Sequence, residues 1–296
     1  MALLKEGLTL IHEHTTIDLS KVKNNPDCFL DCFDETVQEY RDLYDLGVRN
    51  IVDVTAMGMG RNVDYVNSVA DLTGINIVQA TGFYKEPFLP AFVYEQSIEE
   101  LAQHMVNEIR NGIDGTDTKA QVIGEIGTSV DVMEPMERKV FEAAVLAAKE
   151  TGAIISTHTS LGTLALEQAA FFVEHGIDPR KVIIGHQDLS GNLDQIRTLI
   201  DMGFNVAFDT IGKNNYFPDR ERAVYLKQLQ DEGKLDHITL ALDITRKSNF
   251  KYQGGIGYSY LFTDFLPMLR EEGITEASIQ MMINDNPQRI FGGEIR

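Results

Sequence analysis

Apolar residues along this chain fall into two alternating rhythms. Short runs almost continuous in Val, Ile and Ala, such as Val182-Ile183-Ile184, are separated by longer stretches with apolar positions every three or four residues. The first rhythm is that of parallel β-strands covered on both faces, the second that of amphipathic helices. Eight strands are predicted, at Leu8–Thr15, Asn50–Ala56, Ile75–Tyr84, Ala120–Ser129, Ala153–Ser160, Val182–Asp188, Asn205–Ile211 and Ile238–Ile244. Helices are predicted over Glu35–Leu46, Asn62–Leu72, Ile98–Arg110, Glu137–Glu150, Thr163–His175, Leu193–Met202, Arg220–Glu232 and Tyr260–Arg270, with Thr275–Asn284 after them. Several stop at a glycine, as in Leu46-Gly47 and Met202-Gly203, which suits a left-handed helix end. Eight β-then-α units without a linker predict the α/β class and a single (β/α)8 TIM barrel, one domain over residues 1–296. A doubly wound open sheet is the alternative, disfavoured because no Gly-x-Gly-x-x-Gly turn follows an early strand.

The longer insertions follow strands: Thr16–Asp34, Lys85–Ser97 and Thr245–Ser259. Barrel active sites lie at the C-terminal ends of strands, so these loops are expected to roof one. Phe88, Phe92, Tyr94, Tyr258 and Tyr260 are the aromatic candidates for a pocket lining, with loop packing as the alternative.

Chemistry concentrates at the strand ends. The first strand closes on His12-Glu13-His14, and a period of two places both imidazoles on one face. The fourth contributes Glu125, the fifth His158, the sixth His186 and the eighth Asp243. Four of the 7 histidines thus fall where a barrel's chemistry must sit, while His104, His175 and His237 lie on helices or loops. Four imidazoles and two carboxylates at one mouth form a ligand set for two divalent metal ions, with Zn2+ the default. Water held between two such ions loses a proton near neutral pH, so a metal-bridging hydroxide becomes available as nucleophile. Asp243 can ligate, take the water's proton and pass it to the leaving group. The reaction class expected is metal-assisted hydrolysis.

Composition narrows the partners. A net charge of −19 argues against a nucleic-acid backbone as partner. No apolar run reaches the roughly 20 residues of a membrane span, and Met1–Gly7 is too short for a secretory signal. Cys28 and Cys32 do not suggest a disulfide framework, and free thiols in a cytoplasmic protein are expected.

In order and in strand placement, His12-Glu13-His14, Glu125, His158, His186 and Asp243 resemble the amidohydrolase superfamily. Within it the resemblance is to the phosphotriesterase family, especially the bacterial phosphotriesterase homology proteins. It extends from Leu10-Ile11-His12-Glu13-His14 to Asn286-Pro287-Gln288-Arg289-Ile290-Phe291. Between them stand Ile155-Ser156-Thr157-His158-Thr159, Gly185-His186-Gln187-Asp188, Phe208-Asp209-Thr210-Ile211-Gly212-Lys213 and Asp243-Ile244-Thr245-Arg246. The resemblance implies one metal on His12, His14 and Asp243, and the other on His158 and His186. Many relatives bridge the two through a carboxylated lysine on the fourth strand. Here that strand reads Gln121-Val122-Ile123-Gly124-Glu125-Ile126-Gly127, so Glu125 takes the place.

The resemblance further implies a zinc-dependent hydrolase of ester bonds, a lactonase or esterase on a small lactone, with weak phosphotriesterase activity at most. Tyr84 ends the third strand, where lactonase relatives place a tyrosine near the bridging water. Lys213, Tyr216, Arg246 and Lys247 in the last two loops could bind a phosphate or carboxylate of the substrate, or form a solvated positive rim. The resemblance implies a homodimer, although no stretch marks an interface. Three rivals stand against this reading, one of them amide or ring hydrolysis as in other amidohydrolases, which the ligands alone also permit. TatD-like nucleases share His-x-His and a Gly-Glu-Ile-Gly strand, and a metal-binding protein without catalysis would need the same ligands.

Overall fold

Every predicted strand is present, and each ends before its predicted last residue. The computed structural model describes residues 4–292, with β1 Leu8–Glu13, β2 Val48–Asp53, β3 Asn76–Thr81 and β4 Val122–Thr128. The set is completed by β5 Ile154–Thr159, β6 Val182–Ile184, β7 Asn205–Phe208 and β8 Ile238–Leu240. All neighbours pair in parallel in the order β1 to β8, each β-strand leading through helical structure to the next. This is a (β/α)8 TIM barrel, nearly closed.

Two apolar layers follow from the strand period. Ile11, Val52, Val78, Ala80, Val122, Ile154, Ile183 and Ala207 meet inside the ring, and Leu4, Ile290 and Phe291 join them. Leu10, Ile51, Ile123, Ile155, Ile184 and Val206 instead join the outer layer, against helix residues such as Leu43, Val69, Met105 and Phe141.

Between β8 and β1 the ring is closed by a side chain. Glu13 accepts hydrogen bonds from the backbone N–H of Leu242 (2.7 Å) and Ile244 (3.3 Å). Complete burial raises its carboxyl to about 8, against the pull of those two N–H groups. The residue between the two histidines of His-x-His is therefore a seam residue.

Helices Phe33–Asp45, Val63–Thr73, Ile98–Arg110, Pro135–Thr151, Ala165–Glu174, Leu193–Asp201 and Asp219–Asp231 follow the predicted periodicity. The last two predicted helices differ. Leu261–Phe265 is a widened π turn that runs into Leu266–Glu271, and Met281–Asp285 is another that runs into Asn286–Phe291. Each leads directly to a proline, Pro267 or Pro287, which lacks an N–H and crowds the carbonyl one turn back. Short helices at Ser20–Lys23 and Ala91–Glu95 sit inside insertions read from sequence as loops. Cys28 and Cys32 are buried free thiols, and no helix among the described residues is long and apolar enough to cross a membrane.

Candidate metal centre

The ligand residues reach the barrel mouth by departures from regular strand geometry. Leu10 faces the helices, so strict alternation would send His12 there too. The β1–β2 register shifts between Leu10 and Glu13, and His12 turns inward. Ile123 and Ile126 both face the helices, and the register shift between them delivers Glu125 to the interior. His186 and Asp243 lie just past β6 and β8 with φ of 56° and 51°, conformations that L-residues hold only under strain. Two glycines make room for this. A Cβ on Gly124 would stand 2.1 Å from Ser156 O, and one on Gly185 2.1 Å from Thr157 O.

The six predicted residues converge. Glu125 Oε1 lies 3.4 Å from His14 Nε2, while Oε2 lies 3.5 Å from His12 Nε2, 3.2 Å from His158 Nδ1 and 3.6 Å from His186 Nε2. Asp243 Oδ1 lies 3.2 Å from His14 Nε2 and 3.9 Å from His12 Nε2. Its other oxygen accepts from Lys213 Nζ. Donor atoms of His12, His14 and Glu125 lie within 4.8 Å of one another, as do those of Glu125, His158 and His186.

Partners outside the nest orient the rings. His14 Nδ1 donates to Thr55 Oγ1 at 2.8 Å, because that hydroxyl gives its own hydrogen to Thr16 O. In the neutral ring His14 Nε2 is thereby the acceptor, aimed into the nest. Asp209 does the same for two rings. Its Oδ1 accepts from both Nδ1 (2.8 Å) and the backbone N–H (2.9 Å) of His186, and its Oδ2 stands 3.2 Å from His12 Nδ1. No role was assigned to Asp209 from sequence. Its signal was its place, one residue beyond β7 in the middle of a matched run. His158 is turned the other way, with Nδ1 inward and Nε2 at 3.2 Å from Ser160 Oγ.

The donors fit a cation. His12 Nε2 and His14 Nε2 are buried without a hydrogen-bond partner, an arrangement that costs about 1–3 kcal/mol per group unless a ligand is present. Burial alone would raise the Glu125 carboxyl, but the four imidazoles hold it well below the usual range. Burial would likewise raise Asp243, and the Lys213 ammonium, then His14 and His186, bring it far down. His14 is opposed by burial yet held at about 10 by Asp243 and Glu125, whereas burial and neighbouring His186 lower His158 to about 4. Imidazole nitrogens and ionised carboxylates at this spacing suit borderline divalent ions.

A model of the phosphotriesterase family matches residues 3–291. The chain belongs to that family. It is 50% identical to the phosphotriesterase homology protein of Escherichia coli, over 96% of this chain and 98% of that one. A crystal structure of that homology protein with phosphate in its active site superposes with a TM-score of 0.95, at the same coverage of both chains. An aryldialkylphosphatase of Saccharolobus solfataricus is 32% identical, over 96% of this chain and 95% of that one. A phospho-furanose lactonase of Mycoplasmopsis synoviae is 30% identical, over 97% and 88%. Phosphotriesterase-family members of these names are hydrolases, and the ligand clusters at the strand ends suit the family's dependence on a metal pair.

The family's barrel mouth here encloses a cavity of about 540 Å³. Tyr84, Lys213, Tyr216 and Arg246 line it, as do the candidate ligands Glu125, His158, His186 and Asp243. Tyr84 Oη lies 3.2 Å from His158 Nδ1, and burial followed by the charges of Glu125 and Asp243 keeps its hydroxyl protonated. Lys247 was expected on this wall and is not there; it pairs with Asp31 over the Phe29 ring. Of the aromatic candidates, Phe88 lines the cavity. Tyr258 is buried and donates to His14 O at 2.8 Å, Tyr260 donates to Asp219, Tyr94 to Glu86, and Phe92 packs on Phe83. His104, His175 and His237 bond to Gln96, Phe171 O and Phe204 O, away from the site.

Proposed function

We propose that this chain is a zinc-dependent hydrolase that opens a small lactone bearing a phosphate or carboxylate, with weak activity on phosphotriesters. The observation that carries the reading is the position of Glu125, whose Oε1 faces His14 while Oε2 faces His12, His158 and His186. One carboxylate thus serves two ligand groups. Divalent ions held by His12, His14, Glu125, His158, His186 and Asp243 would acidify water and polarise the ester carbonyl.

The chain's own groups supply the proton path. Asp243, held ionised, takes a proton from water through Oδ1 as the water oxygen bonds to the acyl carbon. The acyl–O bond of the ring then breaks, and the same proton passes from Asp243 to the departing alkoxide. Lys213, on the outer oxygen of Asp243, keeps the carboxylate turned toward the nest. The Tyr84 hydroxyl donates a hydrogen bond to the substrate beside His158. Lys213, Tyr216 and Arg246 receive the substrate's anionic group, and Lys247 steadies their loop through Asp31. The names of two relatives, the phospho-furanose lactonase and the homology protein crystallised with phosphate in its active site, support an anionic substrate.

The test is a comparison on zinc-loaded protein. γ-Lactones with and without phosphate are assayed beside an aryl phosphotriester and single-stranded DNA, each with a chelator control. Chelator-sensitive lactone opening well above the other activities is expected. DNA cleavage in its place would overturn the reading.

A further inference from the structure

The wall of the cavity facing Lys213 carries two cations that the reaction above does not use. Lys85 follows Tyr84 directly, in the loop after β3, and Lys23 ends the short helix Ser20–Lys23 in the loop after β1; both line the cavity. In a ring of eight strands β3 stands opposite β7, so Lys85 and Lys213 face each other across the nest. The two ammonium groups flank an aromatic pair. Lys85 Nζ is 5.8 Å from the Tyr84 ring centre, Lys23 Nζ is 6.0 Å from that of Phe88, and the two rings are 5.4 Å apart.

Neither ammonium has a counter-ion. Among the described residues no carboxylate oxygen lies within 4.0 Å of either, and the hydrogen bond of Lys85 Nζ goes to the neutral carbonyl of Glu86 at 2.9 Å. By contrast Lys213, Arg246 and Lys247 are each paired with an aspartate. In a chain of net charge −19, two lysines without a counter-ion lining one cavity are a selective feature. Lys85 is also half-buried. Its stem lies over Gly127, where a Cβ would stand 3.2 Å from Lys85 Cδ, so the side chain is held in place beside His158. Burial, and after the carboxylates Glu137 and Glu125 the nearby Lys23, bear on its ammonium with a net downward shift, which a bound anion would relieve.

We propose that Lys85 and Lys23 form a second anion-receiving position in the cavity, taking a phosphate or carboxylate group across the nest from Lys213. That this anion belongs to a substrate rests on the hydrolase reading; that an anion binds there does not. A substrate using both walls carries an acidic group on each side of the bond to be broken.

Binding is measured by titration calorimetry on the full chain, with inorganic phosphate and with acetate as separate probes at low ionic strength. The variants are K23M/K85M, the milder K85Q, and K149M, which removes one charge from an exposed position on the outer helix Pro135–Thr151. Charge-assisted hydrogen bonds of this kind convert to about a tenfold change in affinity or more. K23M/K85M should lose one phosphate equivalent or weaken phosphate binding at least about tenfold, K85Q should weaken it in the same direction, and K149M should match the unaltered protein. An unchanged isotherm in K23M/K85M, or an equal loss in K149M, overturns the proposal. The probe bound more tightly identifies the acidic group. If no lactone is opened but K23M/K85M still loses phosphate, the hydrolase reading fails and the anion position stands.

Discussion

Asp243 divides its oxygens between the nest and Lys213, which suits it to the proposed double role of ligand and proton carrier. Asp243→Asn keeps the shape and removes the proton acceptor, so kcat should fall about a hundredfold or more. A protein that only binds metal would lose affinity and show no turnover to lose; single-turnover assays beside metal titrations separate the two. His14 adds a pH dependence to loading. Its imidazole, near 6.5 when unfolded, is raised to about 10 in the metal-free fold, so the stability it contributes is complete below 6.5 and lost as pH rises through 10. At pH 7 a metal must therefore displace a proton from His14, while His158, lowered to about 4, already offers a neutral ring. Apparent zinc affinity should rise about tenfold per pH unit between pH 6 and 8 for each proton displaced, with proton release detected in buffers of different ionisation enthalpy. An affinity flat in pH would remove His14 from the ligand set.

At the scale of elements, the apolar runs made the strands legible but not their ends. Val182–Asp188 and Ile238–Ile244 read as continuous strands, yet pairing stops at Ile184 and Leu240 because the next residues leave the ladder to aim His186 and Asp243. Alternation alone would even have put His12 on the helix side with Leu10; the bulge that turns it leaves no signature in residue type. Glu13 was hidden for a related reason, since its partners are backbone N–H groups more than two hundred residues away. Gly185 carries a clearer mark. Any side chain there meets Thr157 O, so Gly185→Ala must separate β5 from β6 and shift both His158 and His186. That variant should fold less stably by about 1–3 kcal/mol, and the metal group containing His158 and His186 should weaken more than the group containing His12 and His14. Equal loss at both, by stepwise metal titration, would show that the glycine acts on the whole mouth.

Across the whole molecule, buried charge is compensated in two ways. Arg222, completely buried, pairs with Asp188 at 2.7 Å and Asp219 at 2.9 Å, and also donates to Phe217 O, tying down the loop that carries Lys213 and Tyr216. That network finds its partners within the chain, in the guanidinium together with neutral donors such as Thr210 on Asp188 and Tyr260 and Asn214 on Asp219. The nest is different: Glu125, Asp209 and Asp243 meet imidazoles with unpartnered nitrogens, a balance that an external cation completes. Any cation that binds the folded chain and not the unfolded one adds stability, about 2.7 kcal/mol at one hundred times its dissociation constant. Adding a chelator should thus lower the melting temperature by roughly 5 °C or more. Arg222→Met should cost about 3–5 kcal/mol with or without zinc, because it strands Asp188 and Asp219 without touching the nest. Asp243→Asn takes a buried carboxylate away from Lys213 and His14 and so should lower the metal-free melt as well, but unlike Arg222→Met it should shrink the increment that zinc provides. If zinc stabilises Arg222→Met and the unaltered chain equally and Asp243→Asn much less, the two charge systems are independent and the nest is the metal site. A zinc increment that survives Asp243→Asn unchanged would place the metal elsewhere on the molecule.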